Sequence, residues 1–383
     1  MELAKLTHRD TRLEAILQKD CPRILVVVRD HMSGLLYAVP VLRSLRMEFP
    51  SAKIMLLANH YAAPILKNCP YLDRIVHFYL FREQANWFTR VEAIAYQAQA
   101  LLQLYQKVDL VLHLRFVGDQ TLLFSRMLGR PFQVGYEQGR YDHFLDINLG
   151  LDEGQQDSRT RNAKILEAIG LKVHSYAMEI WIPSEAEAWA RQWLYAQGWQ
   201  EGAPFFVFHP GCHWGCNEWL AERWADLGNE IHARFQSKIV ITGTANERSL
   251  AEQIAHGMGT PPILATGETT MLQFAAILKL STAVISVDTA PTQICQALNK
   301  PSVILMGAGN PAWNGPLEGE PMVMLQKLKP EENKVEHCHF AAGICHTNFC
   351  ESRLKNISVE NVVTALKKVC AGHFGITQYS SFE

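Results

Sequence analysis

The segment Ala283–Gly307, AVISVDTAPTQICQALNKPSVILMG, decides the fold of this chain. Its first five residues, Ala283–Val287, are apolar and rich in β-branched side chains, which predicts a buried strand. A helix is predicted over Thr292–Leu298, and a second strand follows over Ser302–Met306. A strand, a helix and a second strand in this order indicate a parallel sheet of the α/β class.

The connection Asp288-Thr289-Ala290-Pro291 joins the first strand to the helix. Asp288 or Thr289 is predicted to cap the helix, and Pro291 is suited to its first turn. Both capping candidates therefore stand at the carboxyl end of a β-strand. Open α/β sheets bind ligands at that edge, and helix N-termini attract phosphate groups.

The same residues resemble the signature of glycosyltransferase family 9, typified by the ADP-heptose:lipopolysaccharide heptosyltransferases. In that signature, Asp-Ser/Thr-Gly-Pro-x-His precedes a helix, a Gly-x-Pro turn and a strand. Here Ala290 replaces the glycine and Gln293 replaces the histidine. The resemblance implies that Asp288, Thr289, Ala290 and Gln293 contact a sugar-nucleotide donor. The alternative is that the segment is one βαβ unit of a Rossmann-like sheet without that role.

Composition sets the broad class of the protein. The chain has 383 residues, of which 48% are hydrophobic and 19% charged, enough for two domains with cores of their own. A formal net charge of −2 gives no basic footprint for nucleic acid. No apolar run approaches the ~20 residues that span a bilayer, so we expect a cytoplasmic protein.

The first predicted strand, Arg23–Val28, leads through a loop over 29–34 to a helix over Leu35–Glu48. This opening resembles that of the family, in which the strand runs into Ile-Gly-Asp-Leu. Gly34 occupies the place of the aspartate that the resemblance implies as general base. Asp30 and His31, earlier in the same loop, are the candidates for that catalytic role. The alternatives are a loop-capping carboxylate for Asp30, a surface histidine for His31, and a chemistry that is weak or lost.

A second glycine-bearing loop begins at His209, after the strand predicted over Phe205–Phe208. Its backbone N–H groups are suited to a diphosphate. The His209-Pro210-Gly211 sequence resembles the family, which implies that Gly211, His213 and Asn217 contact the donor. Asn217 stands where the family has a lysine, so a dipole replaces a full charge near the leaving phosphate. Stabilisation of the departing nucleotide is expected to be weaker unless His213 is protonated.

A third loop follows the strand predicted over Lys238–Thr242 and contains Gly243 and Glu247. A carboxylate near a strand end is suited to bind ribose hydroxyls, and the resemblance implies that role for Glu247. The alternative is an acid in the first turn of a helix, favoured by the helix dipole.

Several cysteines and histidines cluster near the C-terminal end, without a CxxC motif. Thiolates and imidazoles are ligands for zinc or iron, but the implied reaction needs neither metal nor cofactor, and we predict none. Whether the cluster binds a metal stays open. Its members are Cys338, Cys345, Cys350, His337, His339 and His346.

These observations together predict an α/β protein of the GT-B arrangement, with two Rossmann-like domains facing a central cleft. We expect an acceptor-side domain over residues 1–180, a donor-binding domain over 181–355, and a C-terminal helix in 356–383 that returns to the first domain. Four arginines are candidates to meet a phosphorylated acceptor, with solvated surface charge as the alternative. They are Arg115, Arg140, Arg159 and Arg161.

The resemblance implies inverting transfer of heptose or a related sugar from a nucleoside diphosphate to a hydroxyl of a lipopolysaccharide core or similar glycan. The expected partners are a sugar-nucleotide donor and a glycan or glycolipid acceptor. Peripheral contact with the inner membrane is kept open. The departures from the signature favour a second hypothesis, a catalytically degenerate sugar-nucleotide-binding or scaffold protein of the same fold. An epimerase with the GT-B fold is a third hypothesis, but no residue indicates it specifically.

Overall fold

The computed structural model describes residues 10–28, 32–78, 87–114, 120–136, 141–150, 157–212, 218–307, 310–327 and 354–371. The chain divides into two compact units, Met1–Trp181 and Ile182–Glu383. Each unit contains a six-stranded sheet in which every described pairing is parallel. The α/β class that the sequence predicts, with two Rossmann-like sheets, is confirmed.

The strands of the first unit are β1 Arg23–Val28, β2 Lys53–Asn59, β3 Arg74–Phe78, β4 Leu110–His113, β5 Phe132–Gly135 and β6 Ile147–Asn148. Their order in the sheet is β3-β2-β1-β4-β5-β6. The central strands β1 and β4 are near-continuous apolar runs because parallel strands in the middle of a sheet are buried on both faces. The helices are α1 Thr11–Leu17, α2 Met32–Glu48, α3 Trp87–Leu104, α4 Gln120–Arg126 and α5 Ser158–Ala168.

Helix α2 begins earlier than the sequence predicts. We expected a loop through Gly34, but α2 already begins at Met32 and includes Gly34 in its first turn. The reason is burial: Met32 is 5% exposed, and Leu35 and Leu36 are fully buried, so the apolar face starts at Met32. The place of the expected aspartate therefore lies on a helix rather than in a loop.

The strands of the second unit are β7 Phe205–His209, β8 Lys238–Ile241, β9 Ile263–Leu264, β10 Ala283–Val287, β11 Ser302–Leu305 and β12 Met322–Leu325. Their order in the sheet is β12-β11-β10-β7-β8-β9. Its helices are α6 Ser184–Ala196, α7 Ala221–Phe235, α8 Arg248–His256, α9 Met271–Leu280, α10 Ala290–Ala297, α11 Pro311–Asn314 and α12 Val359–Ala371. The order of strands along the chain reverses between β7 and β10.

Helix α12 packs within the second unit. Val362, Leu366 and Val369 on α12 are buried in the hydrophobic core of that unit, beside β11, β12 and α7. The return of residues 356–383 to the first domain stays a prediction. Residues spaced three or four apart form one apolar stripe on a helix, and the second sheet offers that stripe a matching apolar face. Residues 372–383 lie outside the described part of the chain.

The described helices include none that combines the length and the hydropathy needed to cross a bilayer.

Asp109 joins the starts of the two central strands of the first sheet. Its carboxylate accepts hydrogen bonds from Arg23 Nη2 at 2.7 Å and from Lys19 Nζ at 2.8 Å, and it is 9% exposed. Burial alone would raise the pKa of Asp109, but the hydrogen bonds from Arg23 and Lys19 outweigh burial and hold it well below its usual range.

Asp109→Asn is expected to lower the free energy of unfolding by roughly 1–3 kcal/mol at neutral pH, because two cations lose their buried partner. A depressed folded pKa means that this stabilisation is complete above the unfolded value of about 3.9 and is lost as the pH falls through the folded value. Urea unfolding at neutral and at acidic pH measures the effect. Glu252→Gln, which removes an exposed ion pair with Arg248, serves as the control. An equal loss in both variants would contradict the prediction.

Candidate functional site

The candidate site lies where β7 and β10 end side by side. These two strands pair in parallel, with Ser286 opposite His209 and Ile285 opposite Phe208. Parallel strands end at the same edge of a sheet, so the loop after His209 and the loop after β10 adjoin. Because the strand order reverses between β7 and β10, the connecting segments leave in opposite directions and a crevice opens there, the usual ligand site of such sheets.

Glu247 links two of the loops at this edge. Its Oε2 accepts hydrogen bonds from the backbone N–H of Thr244 at 2.5 Å and from the Thr244 hydroxyl at 3.0 Å. Glu247 ends the short 3-10 helix Ala245–Glu247 that leads into α8. Through Oε2, Glu247 therefore acts as a helix-start residue, as the alternative interpretation predicts. These two hydrogen bonds do not involve its other oxygen, Oε1.

The second oxygen of Glu247 lies against the glycine of the neighbouring loop. A Cβ built on Gly211 would overlap Oε1 and Cδ of Glu247 and would stand 2.7 Å from its Cγ, far inside contact distance. A Cβ on Gly243 would meet Oε2 at 2.8 Å. The carboxylate therefore occupies a space that is open only because Gly211 and Gly243 carry no side chains.

His209, the last residue of β7, is held as a neutral imidazole. The Thr242 hydroxyl donates to the Phe208 carbonyl at 3.0 Å, so it accepts the hydrogen bond from Nδ1 of His209, also at 3.0 Å. This arrangement places the proton on Nδ1 and leaves Nε2 as an acceptor. Burial lowers the pKa of His209 to about 4, against an opposing effect of Glu247. At neutral pH this histidine presents a lone pair rather than a charge.

Asp288 follows β10 and precedes α10. Burial raises the pKa of its carboxyl to about 6, and the Thr292 side chain opposes this shift. The sequence left open whether Asp288 or Thr289 caps α10. Thr289 occupies the N-cap position, yet no side-chain hydrogen bond is made there, and its buried hydroxyl has no partner among the described residues. Buried hydroxyls without partners are rare and costly, so this one is a candidate contact for a ligand oxygen.

The start of α10 supplies further donors. Ala290 is the first residue of α10 and is exposed, and its N–H is one of those that a helix start leaves without an intrahelical acceptor. Pro291 has no N–H, and the N–H of Thr292 donates to the Thr289 carbonyl at 3.0 Å. The positive end of the helix dipole adds to the attraction for an anion.

The sequence-predicted donor residues divide into three groups. Gly211, Gly243, Glu247, Asp288, Thr289 and Ala290 lie at the carboxyl edge of the second sheet. Gln293 is only 3% exposed on α10, so it faces the packed interior rather than solvent. Asp30, His31, His213 and Asn217 lie outside the described residues, as does the cluster of cysteines and histidines over 337–350.

The acceptor-side arginines are placed only in part. Arg159 is fully buried and its Nε donates to Asp157 at 2.9 Å, so it is neither a surface charge nor a solvent-facing anion ligand. Arg161 accepts a hydrogen bond at its backbone carbonyl from the Tyr136 hydroxyl at 2.7 Å. Arg115 and Arg140 lie in stretches that the structure does not describe.

The sequence analysis did not name His209 as a donor contact, although it closes a central strand immediately before a Pro-Gly turn. It did not name Thr266 either, which stands just after β9 and carries another buried hydroxyl without a partner among the described residues.

These features, two doubly wound parallel sheets and a polar edge at the strand reversal of the second, define the class of protein. The class is that of α/β glycosyltransferases with the GT-B fold. A family model for glycosyltransferase family 9 (heptosyltransferase) matches residues 109–342, more than half of the chain. The chain belongs to this family.

The similarity extends to individual relatives. The chain is 23% identical over 288 residues to lipopolysaccharide heptosyltransferase 3 of Escherichia coli, covering 72% of this chain and 80% of that protein. A glycosyl transferase family 9 structure from Veillonella parvula superimposes with a TM-score of 0.78 at 21% identity, covering 91% of this chain and 97% of that one. The structure of E. coli heptosyltransferase WaaC with ADP gives a TM-score of 0.67 at 17% identity, covering 91% and 99%.

Asp288→Asn is expected to stabilise the protein above pH 6 by roughly 1–3 kcal/mol, because the amide removes the cost of ionising a buried carboxyl. A raised folded pKa means that the wild-type protein loses stability as the pH rises from about 4 through 6. In acid, wild type and variant are therefore expected to be equally stable. Thermal unfolding between pH 4 and pH 8 measures the difference. Asp226→Asn, an exposed site on α7, is the control. A variant that is no more stable at pH 8 than at pH 4, relative to wild type, contradicts the prediction.

Proposed function

We propose that this glycosyltransferase transfers heptose, or a related sugar, from ADP-heptose or another nucleoside-diphosphate sugar to a hydroxyl of a lipopolysaccharide core or related glycan, with inversion. The observation that carries the proposal is the polar edge of the second sheet. Neighbouring loops at that edge contain three groups suited to a ligand. They are the Glu247 carboxylate packed against Gly211, the buried Thr289 hydroxyl, which has no partner among the described residues, and the start of α10. Relatives named as lipopolysaccharide heptosyltransferases support the donor and acceptor classes.

The donor's nucleotide would be held by Glu247 and its neighbours. Oε2 of Glu247 is already occupied by Thr244, so Oε1 is the oxygen that would accept from ribose hydroxyls. His209, through its unprotonated Nε2, offers a second acceptor whose strength does not change near neutral pH. Both groups accept rather than donate, which fits a ligand portion rich in hydroxyls.

The diphosphate would lie at the start of α10. The Thr289 hydroxyl and the Ala290 N–H would donate to its oxygens, and the helix dipole would favour the charge that develops as the bond to the sugar breaks. Asn217 and His213 remain proposed members of this site. The acceptor hydroxyl would attack the anomeric carbon while a base removes its proton, and the nucleoside diphosphate would leave with the bonding electrons.

Gly211→Ala is expected to weaken ADP binding by roughly tenfold to a hundredfold, because the added methyl displaces the Glu247 carboxylate from its position. Isothermal titration calorimetry with ADP measures this. Gly259→Ala is the matched control, since a Cβ there would meet its nearest atom, Asn229 Oδ1, at an ordinary 3.6 Å. If the Gly211 variant bound ADP with wild-type affinity, Glu247 would not be part of the donor site.

The general base is proposed to be Asp30, with His31 as the alternative. Gly34, in the first turn of α2, has no side chain to accept a proton, so the base must come from elsewhere. Asp30→Ala is expected to lower kcat for sugar transfer by about a hundredfold or more while leaving ADP affinity unchanged. His31→Ala, assayed in parallel with ADP-heptose and a lipopolysaccharide core acceptor, identifies the alternative base.

Gly34 also favours a second candidate function, a sugar-nucleotide-binding protein without turnover. The two functions differ in one measurement. Wild-type protein that binds ADP-heptose calorimetrically but transfers no sugar to any core acceptor would support the second, whereas an Asp30- or His31-dependent turnover would exclude it.

A further inference from the structure

The second unit contains a cavity of about 740 Å³ at the edge of its sheet where the strands begin. Its lining includes Phe206 of β7 and the residues immediately before β10 and β11, Thr282 and Pro301. The candidate donor site lies after the opposite ends of β7 and β10. Because β7 has five residues, roughly 13 Å separates its two ends. The cavity is therefore distinct from the donor site and has no part in the proposed function.

Aromatic side chains form much of the cavity wall and are fixed by packing. Trp199 is 5% exposed, and its Nε1 donates to the Ala203 carbonyl at 2.8 Å, so its one polar atom is already satisfied. The ring centroids of Phe206 and Phe235 lie 5.4 Å apart. Small-molecule sites are typically cavities of about 300–1,000 Å³ with apolar and aromatic walls and a few polar groups. Walls of this kind suit a planar apolar ligand.

Lys300 supplies a polar group at this wall. Its Nζ donates to the carbonyls of Lys279 at 2.8 Å and Ser281 at 2.7 Å, and both of those residues line the cavity. The two carbonyls end helix α9, so these bonds by themselves give Lys300 the structural role of closing that helix. An ammonium group has three N–H donors. In the described part of the chain, only two of the three find an acceptor.

The charge of Lys300 is not balanced by a carboxylate from any described residue. Glu187, the nearest candidate in sequence on α6, pairs with Lys279 at 2.6 Å. Glu201 is the only acid among the described residues that line the cavity, and it pairs with Arg191. Burying an ammonium group without a counter-charge is costly. The cavity is therefore suited to a ligand that brings a negative charge.

The neighbouring thiols do not supply that negative charge. Burial raises the pKa of Cys370, which lines the cavity, to about 11, and that of Cys295 to about 12. Both groups are therefore neutral thiols near neutral pH. Burial lowers the pKa of Lys300, and the charge of Lys279 lowers it further. Both effects are expected for a cation that lacks an anionic partner, and a bound anion would oppose them.

We propose that this cavity is a binding site for a planar aromatic compound that carries one carboxylate. The rings of Trp199, Phe206 and Phe235 would contact the aromatic body of the ligand. Its carboxylate would accept the third hydrogen bond of Lys300, and Lys367 of α12, which also lines the cavity, adds positive charge there. The proposal goes beyond the proposed function, because it requires neither the sugar donor nor the glycan acceptor.

The test is isothermal titration calorimetry of the full-length protein with 2-naphthoate, with and without ADP. Wild type is expected to bind one 2-naphthoate whether or not ADP is present, because the cavity and the donor site lie at opposite edges of the sheet. The neutral analogue 2-naphthamide is expected to bind at least roughly tenfold more weakly, since it cannot form a charged pair with Lys300. Displacement of 2-naphthoate by ADP would place the ligand in the donor site and overturn the proposal.

Lys300→Met is expected to weaken 2-naphthoate binding roughly tenfold to a hundredfold and to leave 2-naphthamide binding unchanged, because only the charged interaction is lost. Lys368→Met removes an exposed lysine of α12 that is not part of the cavity lining, and serves as the matched control. An equal loss for the acid and the amide in the Lys300 variant would show that Lys300 acts only on the structure, which contradicts the proposal.

A second variant tests the cavity without touching Lys300. Ala203 is exposed, and its described hydrogen bonds use backbone atoms alone, so Ala203→Trp is expected to fold and to fill part of the cavity. Thermal unfolding checks the fold, and 2-naphthoate affinity is expected to fall at least roughly tenfold. Ala188→Trp, at an exposed position of α6, is the control. Unchanged affinity in the Ala203 variant, or wild type that does not bind 2-naphthoate, overturns the proposal.

Discussion

The parallel pairing of β7 with β10 is the constraint on which the candidate site depends. This ladder, with Ser286 opposite His209, sets two strand ends side by side although more than seventy residues separate them in the chain. A slip of one residue would turn every side chain of one strand to the other face of the sheet. The register is secured because both strands are buried along almost their whole length.

The pairing buries the polar groups at the two strand ends, and this burial shifts their pKa values. His209 and Asp288 stand on adjacent strand ends, and burial acts on them in opposite senses. It lowers the pKa of the histidine to about 4 and raises that of the carboxyl to about 6. In both cases the neutral form is favoured, as expected where charged groups leave water without a full counter-charge. Opposed shifts in neighbouring groups are a common mark of a functional site.

Both units of the chain contain a six-stranded parallel sheet, but they differ in the side chains that they expose. The second unit concentrates polar groups and glycines at one edge of its sheet, which suits a charged, hydroxyl-rich ligand. In the described part of the first unit, the most exposed large apolar side chain, Leu102, lies on an outer helix face.

The sequence by itself determined the sheet class, nearly all the central strands and the family, because buried parallel strands and helix starts have strong local patterns. It also located Glu247 and Asp288 at strand ends. Only the tertiary structure decided that Gly211 makes room for Glu247, that Gln293 is buried, and that α12 packs on the second sheet. These facts depend on which surfaces meet across the fold, and no local pattern records the distance between residues far apart in the chain.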